Sequence, residues 1–310
     1  MGRRLRYIPP GGCVFEVTNR TLQGRYLLKP SEELNNLLIG VLGRAQRLYG
    51  VTLHACVVLS NHYHLLMSVD SALQMAQFMA YFQGNLAKEA GRLYKWRGPF
   101  WHRRYQHVLV SEEEAAQIGR LRYILVNGCK ENLVSSPLDW PGVSSTQSLL
   151  AGHQLSGIWI DRTLTHAASA KTKKDRSRFV QSETVSFSPL PCWKHLPLRV
   201  QQQRVRELVA EIEAETAYRH QAEDSQPLGA LKVLKLDPHD KPLHPQWSPA
   251  PLLHCVSKQV RDALRESYEC FYSAFRQAAD RLRAGDLGAV FPEGAFPPPR
   301  PFQHPIRAPG

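Results

Sequence analysis

The run Val57-Val58-Leu59-Ser60-Asn61-His62-Tyr63-His64-Leu65-Leu66-Met67 constrains this chain more than any other, because it sets two histidines one residue apart in an otherwise apolar stretch. Successive side chains of a strand point to opposite faces, so His62 and His64 share one face and Tyr63 takes the other. Imidazoles are costly to bury unless their nitrogens are satisfied, and the apolar residues around these two predict burial. Held on one face, the pair has the geometry to grip a metal ion. The bland alternative is a chance spacing with no ligand role.

The flanking sequence falls into short, well-marked elements. Residues 13–20 are rich in β-branched and aromatic side chains and follow Gly11-Gly12, which predicts a first strand. Ser31 with Glu32 and Glu33 marks a helix start, and Leu34, Leu37, Leu38, Val41, Leu42, Ala45 and Leu48 keep a helical period up to Gly50. Residues 52–59 and 62–69 read as strands joined by a turn at Ser60-Asn61, which puts the histidines just after the turn of a hairpin. A second helix is expected over 71–93 and a fourth strand over 106–110. Ser111, followed by Glu112, Glu113 and Glu114, predicts the capped start of a third helix that runs to about Asn127, with Gly128 as its stop.

Strand, helix, strand, strand, helix, strand is the ferredoxin-like order. The expected fold class is therefore α+β, an antiparallel sheet with helices on one face and the other face open for function. This domain is expected over residues 1–150. Residues 151–310 are expected to be a mainly helical, loop-rich extension. It would hold a basic linker at 171–178, a short helix around Val205, Leu208, Val209 and Ile212, a longer one from Val256 to Leu282, and a Pro-rich tail from 291.

Charge points to the partner. The 310-residue chain carries a formal net charge of +12, and the excess is spread over both halves. Clustered Lys and Arg gain affinity for phosphates by releasing counterions, so nucleic acid is the expected partner. No apolar run approaches the roughly 18 residues of a spanning helix, and no apolar segment follows Arg3, Arg4 and Arg6 as a secretory signal requires. The expectation is no membrane and a cytoplasmic location. Six cysteines without a C-x-x-C pair give no sign of a zinc ribbon or a disulfide framework.

Residues 92–105 carry five cations, five aromatics and no acid. Such a segment suits single-stranded nucleic acid, where bases stack on rings and phosphates meet the charges. The expected DNA contacts are Arg92, Lys95, Trp96, Arg97, Trp101, Arg103, Arg104 and Tyr105, together with Arg20 at the end of the first strand. The competing reading makes Trp96, Phe100 and Trp101 core plugs and the arginines a solvated rim.

Tyr123 and Asn127 lie four apart, one turn along the same helix face. Two neutral imidazoles and an amide oxygen would leave a divalent ion with open positions for phosphate oxygens and water. A tyrosine beside such an ion could attack phosphorus, since a bound cation favours the phenolate. The resulting phosphotyrosine link keeps the bond energy, and a free 3′-hydroxyl reverses it. Tyr105 and Tyr94 are the fallback nucleophiles. The structural alternatives are Tyr123 as a packing side chain and Asn127 as a helix-end residue.

Asn61-His62-Tyr63-His64-Leu65-Leu66 together with Tyr123-Ile124-Leu125-Val126-Asn127 resembles the single-tyrosine HUH transposases, most closely the REP-associated tyrosine transposases. The likeness spans about residues 10 to 150 and includes Phe100-Trp101-His102-Arg103-Arg104-Tyr105, which is similar to the family's aromatic-basic segment before the last strand. The resemblance implies Mg²⁺ or Mn²⁺ held by His62, His64 and Asn127, Tyr123 as nucleophile, and single-stranded DNA hairpins as partners that are cleaved and rejoined. It leaves open a monomer or a homodimer exchanging helices. Two departures stand out. The family commonly continues Asn-Pro-Val, whereas this chain has Asn127-Gly128-Cys129, and Glu16 replaces a frequently seen polar or histidine residue of the first strand. Glu16 could approach the metal or face solvent. A second class of function, a hairpin-binding regulator or domesticated remnant without turnover, is separated from the enzyme by an assay for covalent DNA adducts. An RNA-binding ferredoxin-like domain would need more aromatics on the central strands than Phe15 and Tyr63 supply.

Overall fold

Alternation along three strands builds the centre of the molecule. In the computed structural model, which describes residues 5–169, 177–243 and 251–298, β1 (Cys13–Arg20), β2 (Thr52–Val58), β3 (His62–Val69) and β4 (Gln106–Val110) form an antiparallel sheet in the order β2-β3-β1-β4. With α1 (Glu32–Tyr49) and α2 (Ala72–Leu93) as crossovers, this is the ferredoxin-like α+β fold that the element order predicts. The short strand β7 (Leu253–His254) adds in parallel to the outer edge of β4. Phe15, Val17, Tyr63, Leu65 and Met67 turn to one face, each fully buried beneath α1 and α2. Val14, Glu16, His62, His64 and Leu66 alternate to the other. A bulge at His54 shifts the phase of β2, and the histidine's two nitrogens meet Ser188 O and Ser68 Oγ, so this buried His is a satisfied structural residue.

The second face is not open as expected. α3 (Glu114–Leu125) crosses it, with Leu121, Ile124 and Leu125 packed on Val14, Ala55, Val57 and Leu66. Leu190, Trp193 and the long helix α7 (Leu198–Ala222) close over the same cluster, so the core runs across residue 150. The start of α3 also differs from expectation: Glu113, not Ser111, occupies the cap position, and Ser111 Oγ donates to Glu113 Oε2. At its other end the helical conformation passes through Val126 into α4 (Asn127–Lys130) rather than stopping at Gly128. A Cβ at Gly128 would lie 2.9 Å from Val134 Cγ2, which explains the glycine by close packing.

Beyond α5 (Thr146–Ala151), strands β5 (Leu155–Ile160) and β6 (Val180–Val185) form a hairpin, with α6 (Arg162–Ser169) between them, against the outer side of α1. The approach is backbone to backbone: a Cβ at Gly40 would sit 1.8 Å from Ile158 O, and one at Gly43 2.6 Å from Thr184 O. The helix expected around Val205 is the middle of the longer α7. α8 (Ala230–Leu234) and α9 (Lys258–Arg283) complete the described elements. Most of the expected basic linker at 171–178, and the Pro-rich tail from 299 onward, lie outside the described residues. Among the described residues no helix is long and apolar enough to cross a membrane.

Candidate active site on the histidine face

Register brings the site together before any side chain is considered. In the β1–β3 ladder Arg20 pairs with His62, Thr18 with His64 and Glu16 with Leu66. His62 and His64 project from the same face with ring centroids 5.2 Å apart and planes nearly perpendicular. α3 then lays Tyr123 over the pair, its ring edge-on to His64 at 5.4 Å. The Asn127 side chain is within hydrogen-bonding reach of the His62 ring and donates from Nδ2 to Tyr123 O at 2.7 Å. The four residues singled out in sequence therefore meet.

Each imidazole has one nitrogen held from behind. His64 Nδ1 lies 2.8 Å from Glu16 Oε1, and Glu16 is only 5% exposed. His62 Nδ1 lies 2.6 Å from Asn61 Oδ1. The Asn61 amide is oriented by its Nδ2, which donates to Gly24 O at 3.1 Å, so the oxygen faces the histidine and can only accept. Both rings then donate from Nδ1, and in its neutral form each would keep the Nε2 lone pair for another electrophile. A hydrogen-bonded Nδ1 with a free Nε2 is the usual second-layer support of a metal-ligating histidine.

Electrostatics act on His62 and on Glu16. Burial, reinforced by the neighbouring His64 ring and the charges of Arg20 and Lys130, holds His62 well below the ordinary histidine range. Burial alone would raise the Glu16 carboxyl, but hydrogen bonds from His254 and His64 outweigh it and hold the group well below the usual carboxylate range. Glu16 thus remains an anion that accepts and does not donate. His62, His64 and the Asn127 amide oxygen could hold one divalent ion; the donor set of two nitrogens and one neutral oxygen fits such an ion. Among the described residues no group of three or more His, Cys, Asp or Glu is arranged for one.

The expected DNA contacts divide by burial. Tyr105 is 7% exposed, with the Arg6 guanidinium 3.7 Å over its ring, and Trp101 donates from Nε1 to Gln83 O while packing edge-on against Tyr63. Tyr105 is placed as a packing side chain, whereas Trp101 is half-buried, as Trp96 is. Arg92, Lys95, Arg97, Arg103 and Arg104 lie on the surface. Arg92, Lys95, Trp96 and Arg97, together with Lys88, line an open cleft of about 470 Å³ that has no acidic lining residue. The segment is pinned to the strand end opposite His62, since His102 N donates to Arg20 O and Leu22 N to Phe100 O. Sequence reasoning missed Asn61, Arg120, Lys130 and His254. The first three sit beside motif residues and could have been found by helical or strand spacing; His254 carries no local signal.

Residues 25–125 match the family model described as "Transposase IS200 like", a span that includes His62, His64 and Tyr123 and stops two residues before Asn127. The match covers about a third of the chain and agrees with the resemblance noted in the sequence. One solved structure, of a REP-associated tyrosine transposase bound to a REP hairpin, is 20% identical with a TM-score of 0.39, covering 49% of this chain and 87% of that one. Another, assigned as a transposase of Deinococcus radiodurans, is 21% identical with a TM-score of 0.27, covering 39% and 95%. At such scores neither likeness bears on function. No curated protein matches.

Proposed function

We propose that this chain cleaves and rejoins single-stranded DNA beside a hairpin through a covalent phosphotyrosine link at Tyr123, with Mg²⁺ or Mn²⁺ held by His62, His64 and Asn127. The observation that carries the reading is the pair of imidazoles on one sheet face, each with Nδ1 against an oxygen acceptor, with Tyr123 edge-on to His64 and the Asn127 side chain beside His62. Bound there, the ion would polarise the scissile phosphate as a Lewis acid. Tyr123 Oη attacks phosphorus and loses its proton; the new O–P bond replaces the bond to the 3′ oxygen, which leaves as a free 3′-hydroxyl. Attack by a 3′-hydroxyl reverses the step and restores the tyrosine, so no nucleotide cofactor is consumed.

The hairpin preference follows from the sequence resemblance to REP-associated tyrosine transposases. The proposed contacts are the surface cations Arg92, Lys95, Arg97, Arg103 and Arg104, with Arg20 beside the histidines and the half-buried Trp96 as a stacking ring. Trp101, also half-buried, is a second stacking ring, and Tyr105 supports the segment from within. Incubating the protein with labelled hairpin-bearing single-stranded DNA and Mn²⁺ is expected to trap a protein–DNA adduct that disappears in Tyr123→Phe. An adduct of equal yield in that variant would remove Tyr123 from its role. Tight binding without any adduct would favour the non-catalytic regulator.

A further inference from the structure

We propose that His254, carried in from the C-terminal part of the chain, is a positioning residue for the histidine site: it fixes Glu16, which in turn fixes the ring of His64. The inference rests on the function proposed above and names a contributor that the transposase segment at 25–125 does not contain.

Glu16 has two carboxylate oxygens with separate tasks. Oε1 accepts from His64 Nδ1 at 2.8 Å; Oε2 meets His254 Nε2 at 3.0 Å and Arg120 Nη1 at a longer 3.4 Å. Without His254 the second oxygen keeps only the long contact. The carboxylate can then rotate about its last torsion, and His64 loses a fixed acceptor. A buried carboxylate among Val14, Leu66 and Val110 is unfavourable on packing grounds alone, since an apolar side chain would fill the space without desolvating a charge. Its presence is explained by what it orients.

The delivery of His254 is specific. β7 pairs in parallel with β4, setting Val110 against His254, and Ser111 N donates to His254 O at 2.9 Å. One turn further on, the Glu113 carboxylate accepts from Val256 N at 2.8 Å and Ser257 N at 2.9 Å, fastening the start of α9 to the start of α3. Two anchors therefore bracket the residue, and both lead back to the helix that carries Tyr123.

The test is a Mn²⁺ titration of the full-length chain, followed by the electron paramagnetic resonance signal of the free ion and paired with thermal unfolding. Wild type is expected to bind Mn²⁺, and His254→Ala to bind about tenfold more weakly, the usual scale for losing a support of a metal ligand. His254→Gln, whose amide nitrogen can donate from nearly the place of Nε2, is expected to recover most of the affinity. If the alanine variant does not fold, His254→Asn replaces it: its shorter side chain does not reach Glu16, so the tenfold loss is expected there against the glutamine variant. Equal affinity in wild type and in whichever of the alanine and asparagine variants is measured overturns the role of His254 while leaving the metal site standing. Absence of Mn²⁺ binding in wild type overturns both.

Discussion

The two faces of the sheet come from the same strands and solve opposite problems. On the α1/α2 face Phe15, Val17, Tyr63, Leu65 and Met67 are fully excluded from solvent, and the Tyr63 hydroxyl meets a single partner, Gln83 Nε2, at 2.7 Å. On the α3 face, one residue away along β1 and β3, Glu16, His64 and Asn127 are buried as well, but through a connected set of hydrogen bonds. The first face derives its stability from excluded apolar area. The second accepts the desolvation of charged and polar groups and in return holds two lone pairs in fixed directions. Strand alternation lets a dry core and a reactive surface share a backbone without mixing.

If the faces are separable, damage to the first should cost stability and leave the second intact. Phe78 is fully buried in the α2 face, stacked on Phe82 at 6.1 Å. Phe78→Ala is expected to lower unfolding free energy by about 3–5 kcal/mol in urea titrations, the range for truncating a core phenylalanine. Mn²⁺ affinity of the folded fraction should not change. A parallel loss of affinity would mean that the core sets the site geometry and that the division fails.

A smaller effect should appear with acid, and one part of it belongs to the apolar face. His107 pairs with Val17 in the ladder and lies edge-on to Phe15 at 5.4 Å. Burial, aided by the Arg6 charge, pulls it from 6.5 to about 4. The unfolded chain therefore takes up a proton on this group at a higher pH than the native one. Its contribution to stability is complete above pH 6.5 and is lost as pH falls toward about 4. Urea midpoints across that window should fall less steeply in His107→Leu than in wild type. Some slope should persist, because burial also lowers His54 and, on the other face, His62. Parallel profiles would show that the acid-sensitive groups lie elsewhere.

What sequence made legible was local. Ser31 caps α1 through Leu34 N and Gly50 ends it in the left-handed conformation, as their positions suggest. The His-x-His hairpin is equally visible because period, turn and burial agree. Glu16 was open between metal approach and solvent; the structure turns it to His64, a choice that depends on register between β1 and β3 and not on either strand alone. The β5–β6 hairpin escaped because its two strands are separated by α6 and the stretch after it; Gly40 and Gly43, placed three apart inside a strong helix, were the trace it left. His254 escaped for a plainer reason. A two-residue strand that pairs with β4 from over a hundred residues away has no periodicity to read.

The smallest effect sharpens the α3 face itself. Lys130 ends α4, is exposed, and places Nζ 3.4 Å from Tyr123 Oη and 4.8 Å from the ring centroid, while the Arg120 guanidinium lies 4.7 Å from that centroid. An ammonium so close to the phenol oxygen favours the charge that develops there when the proton leaves. Because Lys130 is solvated, the attraction is screened, and Lys130→Met should slow adduct formation only about three- to fivefold at low salt. The gap between variant and wild type should narrow as salt rises, while Mn²⁺ affinity stays within a factor of about two, since a solvated charge acts on the ion only weakly. A rate loss of a thousandfold or more, insensitive to salt, would instead make Lys130 a direct proton acceptor for Tyr123. The reactive face would then extend beyond the sheet and α3 to α4, so that the helical continuation through Val126 would position a catalytic group as well as Asn127.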